Sequence, residues 1–139
     1  MRRRVLTLAI AVVLICSLFT SFAFAATLRA SDYISSYNAV IYSSGTKINV
    51  DCSITGTGRM KTIGIKSVKI YTSSGTNVAT YSYTTDGYEY LMGSDTGRKT
   101  ASVTYTGTSG KSYYAVVVFS ASDGSGGDSR SYTTKTITV

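Results

Sequence analysis

The chain has 139 residues and a formal net charge of +7, and it contains no His, no Pro and no Trp. Its length corresponds to one globular domain. Because His is the commonest acid–base residue near neutral pH and the commonest metal ligand, its absence excludes serine-triad, cysteine–histidine and zinc–histidine chemistry.

The first 25 residues have the pattern of a secretory signal peptide. Three consecutive arginines precede an apolar run at 8–16, and an A-x-A cleavage site ends at Ala25. The alternative is an uncleaved membrane anchor, because residues 5–25 are nearly long enough to span a bilayer. We predict cleavage after Ala25 and secretion of residues 26–139 to the extracellular space. Cleavage lowers the net charge from +7 to +4, because three of the 14 cations lie in the leader.

Residues 26–139 have the composition of a β-sheet domain. Ser and Thr supply 38 of these 114 residues, and all 12 Tyr of the chain lie here. β-Branched and aromatic side chains are favoured on strands, whereas Leu, Ala, Glu and Lys favour helices. Cys52 is the single thiol left after cleavage, so no intramolecular disulfide can form and packing alone must stabilise the fold.

Six segments carry an alternation of apolar and polar residues and are separated by turns rich in Gly, Ser, Thr, Asn and Asp, and a seventh segment is predicted to close the sheet. The second is the clearest, with Ile48, Val50, Cys52 and Ile54 on one face. The sixth is apolar on both faces for most of its length, which is typical of a central strand. In chain order the predicted strands span 36–43, 47–55, 65–72, 77–83, 100–106, 112–121 and 129–139.

This spacing predicts a single all-β domain, an antiparallel β-sandwich of about seven strands. A barrel of about six to eight strands is the alternative. Residues 83–99 are the least regular part of the domain. We predict that they form a long connection with at most one short edge strand.

The segment from Tyr105 to Ala121 resembles the corner before the sixth strand in immunoglobulin-like and fibronectin type III sandwiches. In those domains a turn that contains Gly precedes a Tyr whose hydroxyl bonds to upstream backbone, and Tyr113 would be that structural tyrosine. Ala115 stands where an immunoglobulin domain has Cys, and Val68 and Ile70 replace the core Trp. The resemblance therefore implies an architecture and no receptor or antibody function.

The whole chain also resembles a family of small secreted bacterial proteins of unknown function. The likeness lies in the signal peptide, in an Ala-Ser-Asp-Tyr-Ile start at residue 30, and in Thr-Gly-Thr-Gly and Val-Thr-Tyr-Thr-Gly-Thr segments at residues 55 and 103. It implies no activity.

One predicted binding surface follows from the strand period of two, which directs alternate residues of the sixth strand outwards. Large exposed apolar patches on soluble domains tend to be interfaces, so we predict a partner-binding or self-association surface here. The alternative is that the 83–99 connection folds over this face and buries it. The predicted set is Lys69, Tyr71, Tyr114, Val116, Val118, Tyr132 and Thr134.

A second predicted binding surface is the tyrosine-rich chain that leads into the 83–99 connection. A tyrosine offers an apolar face and a polar tip, so it can stack on a sugar or enter a partner's groove. The alternative is that these side chains cap one end of the fold, with their hydroxyls bonded to water. The group comprises Tyr81, Tyr83, Tyr88, Tyr90, Leu91 and Met92, of which Tyr88 and Tyr90 are predicted to bind.

Three further features favour structural roles. Asp123, Ser125 and Asp128 could offer oxygen ligands to calcium, but their spacing does not match an EF-hand, and turns commonly have this composition. We therefore expect no metal and no other cofactor. Cys52 lies in the inward phase of its strand, so we expect a buried, inert thiol.

The acidic residues of the long connection are the one candidate for catalysis. Asp86, Glu89 and Asp95 could form a glycosidase-type pair. They are more simply the solvated charges of a loop, so we expect no enzymatic activity.

The sequence predicts a secreted, non-enzymatic binding module that acts through the Tyr/Val sheet face or the tyrosine-rich loop. Its expected partner is a protein or a surface glycan, with no nucleic acid and no stable membrane anchor after cleavage; self-association is a further use of the same face. The alternative is a secreted bacteriocin or toxin-like effector on cell envelopes, suggested by small size, the signal peptide and mild positive charge.

Overall fold

Residues 31–139 are described by a computed structural model, and the predicted signal peptide lies outside them. They form one antiparallel sheet of seven strands with a single 3₁₀ turn and no α-helix. In chain order the elements are β1 (Ile34–Ser44), β2 (Lys47–Thr72), β3 (Asn77–Ser82), the 3₁₀ turn (Glu89–Leu91), β4 (Met92–Thr106), β5 (Ser112–Ser122), β6 (Gly127–Thr133) and β7 (Ile137–Thr138).

Strand β2 organises the sheet because it runs through 26 residues and joins two halves. Its first half pairs with β1 on one side and with the end of β4 on the other. Its second half pairs with β5 on one side, and with β3 and the start of β4 on the other. The register with β4 shifts between Thr55 and Met60. Such irregularities bend a strand, and the sheet curls into a half-barrel.

The core fills the concave side of the curled sheet. The two halves meet there: the ring of Tyr37 on β1 lies 5.5 Å from the ring of Phe119 on β5. Fully burying one aliphatic or aromatic side chain contributes about 1.5–3 kcal/mol, so this cluster stabilises the fold without a disulfide. The largest fully buried side chains are Tyr113, Phe119, Ile41, Ile48, Ile54, Ile63, Ile65, Ile70, Leu91, Val50, Val68 and Val117.

The predicted all-β class is confirmed, and the first, fourth and sixth predicted strands match β1, β3 and β5 to within two residues. The second and third predicted strands are one strand, because β2 pairs with β4 both before and after the glycine-containing bend that interrupts the alternation. The fifth is only the second half of β4, which begins at Met92 inside the predicted connection.

The last predicted strand is divided into β6 and β7, which both pair with β5. Between them lies Thr134, which is buried. Its N–H donates to the carbonyl of Ala115, and the N–H of Ala115 donates to the Thr134 hydroxyl at 2.9 Å. A side-chain oxygen thus replaces a backbone acceptor where the strand is interrupted. No helix within residues 31–139 has the length and apolar character to cross a membrane.

Candidate functional site

The convex side of the second half carries a surface that we call the outer tyrosine face, formed by Lys69, Tyr71, Tyr114, Val116 and Val118. On β5, residues alternate strictly between buried and half-buried, and the three β5 members occupy the half-buried phase. Because directly paired residues point to the same side of a sheet, the register places Lys69 beside Val116 and Tyr71 beside Tyr114. The structure thus brings these five predicted residues together.

The two tyrosines of this face stack on each other. Their ring centroids are 5.3 Å apart, and the ring planes differ by 12°. Such a pair contributes about 0.5–1.5 kcal/mol beyond its area burial, so the rings hold each other in place. Together with the exposed Lys69 side chain, the pair offers a preorganised aromatic surface beside a cation.

The 83–99 connection does not bury the outer tyrosine face. It packs instead towards the concave side, where Leu91 is fully buried. The hydroxyl of Tyr90 donates to the carbonyl of Ser102 on β4, at 2.9 Å. Tyr114, Val116 and Val118 keep part of their surface open to solvent.

Two residues predicted to share this face lie on the opposite side of the sheet. Tyr132 pairs with the fully buried Val117, packs on the core and meets the ring of Tyr37 edge-on at 6.4 Å. Thr134 is buried, as described above. The prediction that they face outwards is wrong, because the register of β6 against β5 depends on pairing that one strand's alternation does not reveal. Ser131 and Thr133 take the outward places beside Val118 and Val116.

Among the strands of residues 31–139, β4 pairs only with β2, and the tyrosine-rich group covers its other, free edge. The Tyr88 ring lies 5.1 Å from that of Tyr81 and 6.1 Å from that of Tyr90. The Tyr81 hydroxyl donates to the carbonyl of Thr104 at 2.9 Å, just as Tyr90 donates to Ser102. Partial burial raises the pKa of Tyr81 and Tyr90. This arrangement matches the capping alternative, with backbone carbonyls as the acceptors in place of water.

Two residues assigned structural roles lie in the core. The Tyr113 hydroxyl accepts a hydrogen bond from the N–H of Thr108, at 2.9 Å, which is the upstream backbone contact expected of it. That hydrogen bond lowers the pKa of Tyr113. Cys52 is free and buried, and burial raises its pKa to about 12. A thiol that stays protonated at neutral pH is a poor nucleophile.

In the loop before β6, the carboxylate oxygens of Asp123 and Asp128 are bonded to neighbouring residues of the same segment. Asp123 accepts hydrogen bonds from the N–H and hydroxyl of Ser125 and from the N–H of Gly126, and these bonds lower its pKa. Asp128 forms an ion pair with Arg130 at 2.8 Å. Across residues 31–139, no group of three or more His, Cys, Asp or Glu is placed to hold a metal ion.

Among the acidic residues of the long connection, two have local structural roles. Glu89 accepts a hydrogen bond from the N–H of Gly87 at 2.9 Å. Asp95 occupies the left-handed backbone region, with φ of 51°. Left-handed residues are typical of turns, and Asp tolerates this conformation better than most side chains.

A further feature, which we call the polar groove, was missed by the sequence analysis. It is an open cavity of about 350 Å³ on the convex side of the first half of the sheet. Its residues come from three strands that are separate in sequence, so no local motif marks it. The groove is lined by Asn38, Val40, Asp51, Cys52, Ser53, Thr100, Ala101 and Ser102.

Comparison of the chain with known protein families, curated proteins and solved structures finds no match in any of the three.

Proposed function

We propose that the protein is secreted and acts as a non-enzymatic binding module, which contacts a protein partner through the outer tyrosine face. The observation that supports this most is the partly exposed Tyr71–Tyr114 stack on two central strands, β2 and β5. Tyrosine loses little conformational entropy on binding and supplies a large amphipathic contact area, so it is enriched at binding interfaces. Here stacking already restricts both rings before any partner arrives.

The composition of the face also fits a protein partner. Val116 and Val118 add apolar surface next to the stack, while Lys69 adds one cation. Ser131 and Thr133 flank the valines on β6. An apolar and aromatic centre with a polar margin is the usual composition of protein–protein interfaces.

The experiment is site-specific photo-crosslinking of the secreted protein in the medium and envelope fraction of the cells that produce it. A photoreactive phenylalanine analogue at Val116 tests the face, and one at Thr104, on the convex side of the other half, is the control. We expect a discrete adduct from position 116 alone. The captured protein should then bind the purified wild-type domain at least about tenfold more tightly than Tyr114→Ser, a loss of about 1.4 kcal/mol.

Equal adducts at both positions, no adduct at 116, or unchanged affinity of Tyr114→Ser would overturn the proposal. An adduct with a second copy of the chain would assign the face to self-association instead.

We further propose that the fold is related to immunoglobulin-like or fibronectin type III sandwiches. The hydrogen bond from the Thr108 N–H to the Tyr113 hydroxyl supports this relationship. The bacteriocin-like alternative rests on sequence features alone. Vesicle leakage or growth inhibition of neighbouring bacteria by residues 26–139 would favour it over the binding module.

A further inference from the structure

The polar groove is built from two rows of side chains that cross three strands. In the first row, strand pairing aligns Val40 with Asp51 and Asp51 with Ser102. A second, parallel row lies two residues further along each strand. Neighbouring strands lie about 4.8 Å apart and same-face residues about 6.8 Å apart, so the floor measures roughly 10 by 7 Å. The second row contains Asn38, Ser53 and Thr100.

Among residues 31–139, Asp51 is the only charged residue that lines the groove. One of its oxygens, Oδ1, accepts a hydrogen bond from the Ser102 hydroxyl, which fixes the orientation of the carboxylate. The carboxylate also stands close enough to Tyr42 for its charge to raise the pKa of that hydroxyl. An ionised carboxylate has about four acceptor positions, so an oriented Asp51 retains acceptors for a ligand's hydroxyl groups.

The rest of the convex surface around Asp51 combines hydrogen-bonding groups with exposed apolar area. The Asn38 amide both donates and accepts, and the hydroxyls of Ser53 and Thr100 do the same. Val40 and Tyr42, on the same side of β1, are 46% and 45% exposed, which is unusually high for large hydrophobic side chains in this structure. A fitting ligand would therefore have many hydroxyl groups and an apolar C–H face.

Charge limits the ligand further. Within the part of the chain that the structure describes, no cation lines the groove, and its one charged residue is negative. Phosphate and carboxylate ligands are held in proteins by Arg, Lys or clustered backbone N–H groups, and Asp51 would repel them.

We propose that the polar groove binds a neutral saccharide, with Asp51 and Asn38 as its main hydrogen-bonding residues and Tyr42 beside them as an aromatic wall. The groove floor can accommodate one or two sugar rings. The site lies on the other half of the sheet from the outer tyrosine face, so it operates independently of the proposed protein contact.

The test is ligand-observed NMR followed by titration calorimetry with four tetrasaccharides. Three are neutral oligomers of glucose, mannose and N-acetylglucosamine, and one is an anionic oligomer of galacturonic acid. We expect at least one neutral probe to bind with a Kd of about 1 mM or below. Asp51→Asn and Asn38→Ala should each weaken that binding at least about fivefold. The matched control, Asp86→Asn, makes the same change at an exposed carboxylate outside the groove and should bind like the wild type.

Three results would overturn the assignment: no neutral probe binds at about 10 mM, both groove variants bind as well as the wild type, or the anionic probe binds more tightly than every neutral one. Circular dichroism establishes that each variant is folded. Saccharide binding that persists in both groove variants but is lost in Tyr114→Ser would place the sugar on the outer tyrosine face.

Discussion

Cys52 shows how one residue's surroundings set its chemistry. Its side chain belongs to the core, with 4% of the residue exposed, and burial is the main reason that its pKa rises from 9.0 to about 12. Only the thiolate attacks alkylating reagents and disulfides. With a pKa of about 12, the buried thiol holds on the order of a hundredfold to a thousandfold less thiolate at pH 8 than an exposed cysteine would.

We predict that native protein reacts with iodoacetamide at pH 8 at least about a hundredfold more slowly than protein unfolded in urea. Mass spectrometry of the alkylated fraction over time measures both rates. Cys52→Ala provides the blank for non-specific labelling. Native and unfolded rates within about tenfold of each other would mean that the thiol is accessible and ionisable in the fold.

At the scale of single strands, the free edge of β4 requires protection. An unpaired edge presents backbone N–H and C=O groups that can pair with another chain. Here the hydroxyls of Tyr81 and Tyr90 bond to the carbonyls of Thr104 and Ser102, two acceptors on that edge. The tyrosine-rich group predicted to bind a partner thus stabilises the strand next to it.

We predict that Tyr81→Phe and Tyr90→Phe each lower the free energy of unfolding by about 0.5–1.5 kcal/mol, because each removes one hydrogen bond and keeps the ring. Urea denaturation measures the loss. Tyr114→Phe is the matched control, since stacking with Tyr71 should survive without the hydroxyl. If both edge variants were as stable as the wild type, the two hydroxyl contacts would contribute nothing to the edge.

At Gly64 the backbone of β2 approaches the start of β4 closely. A Cβ atom added there would lie 2.8 Å from the Cα of Met92, at the start of β4, whereas one added at Gly58 would meet nothing within 4 Å. Both glycines belong to the same strand. The pair therefore separates the steric effect at one position from the general effect of replacing Gly with Ala.

We predict that Gly64→Ala lowers the free energy of unfolding by at least about 2 kcal/mol, because β4 has to move away and the core near Leu91 opens. Gly58→Ala should change it by no more than about 1 kcal/mol. Denaturant midpoints of the two variants provide the comparison. Equal midpoints would show that β4 accommodates the methyl group without loss.

The strands that could be predicted from the sequence are those whose pattern is purely local. β5 is a continuous, largely apolar segment, so the strand itself could be predicted, and the strand period of two puts Tyr114, Val116 and Val118 on one face, in agreement with its burial pattern. The start of β4 has no such alternation, because its Gly, Ser, Asp and Thr residues pair through the backbone while carrying few apolar side chains. Its pairing with β2 is non-local and leaves no local signal.

Contacts between strands could be predicted even less well. The outward position of Tyr132 was wrong because register, not alternation, decides which face a residue shares with its neighbours. The polar groove was missed for the same reason: Asn38, Asp51 and Ser102 come together only through the pairing of β1, β2 and β4. Individual polar residues on exposed strand faces are too common to predict a site.

At the scale of the whole molecule, the continuity of β2 couples the two halves. The outer tyrosine face belongs to one half and the polar groove to the other, while both halves share the core on the concave side. Two independent sheets could unfold separately. A single strand that hydrogen-bonds in both halves, with a common core, should instead unfold in one cooperative step.

We therefore predict that a core truncation in either half destabilises both halves equally. Ile48 and Ile70 are fully buried in the first and second halves of β2, and Ile→Ala at such positions costs about 2–5 kcal/mol. Native-state amide exchange then reports each half separately, through Val103 on β4 and Val117 on β5. In both Ile48→Ala and Ile70→Ala, the opening free energies at Val103 and Val117 should fall by the same amount. A fall confined to the truncated half would show that the bend at residues 56–59 divides the sheet into two units, and the two surfaces would then lie on parts that unfold independently.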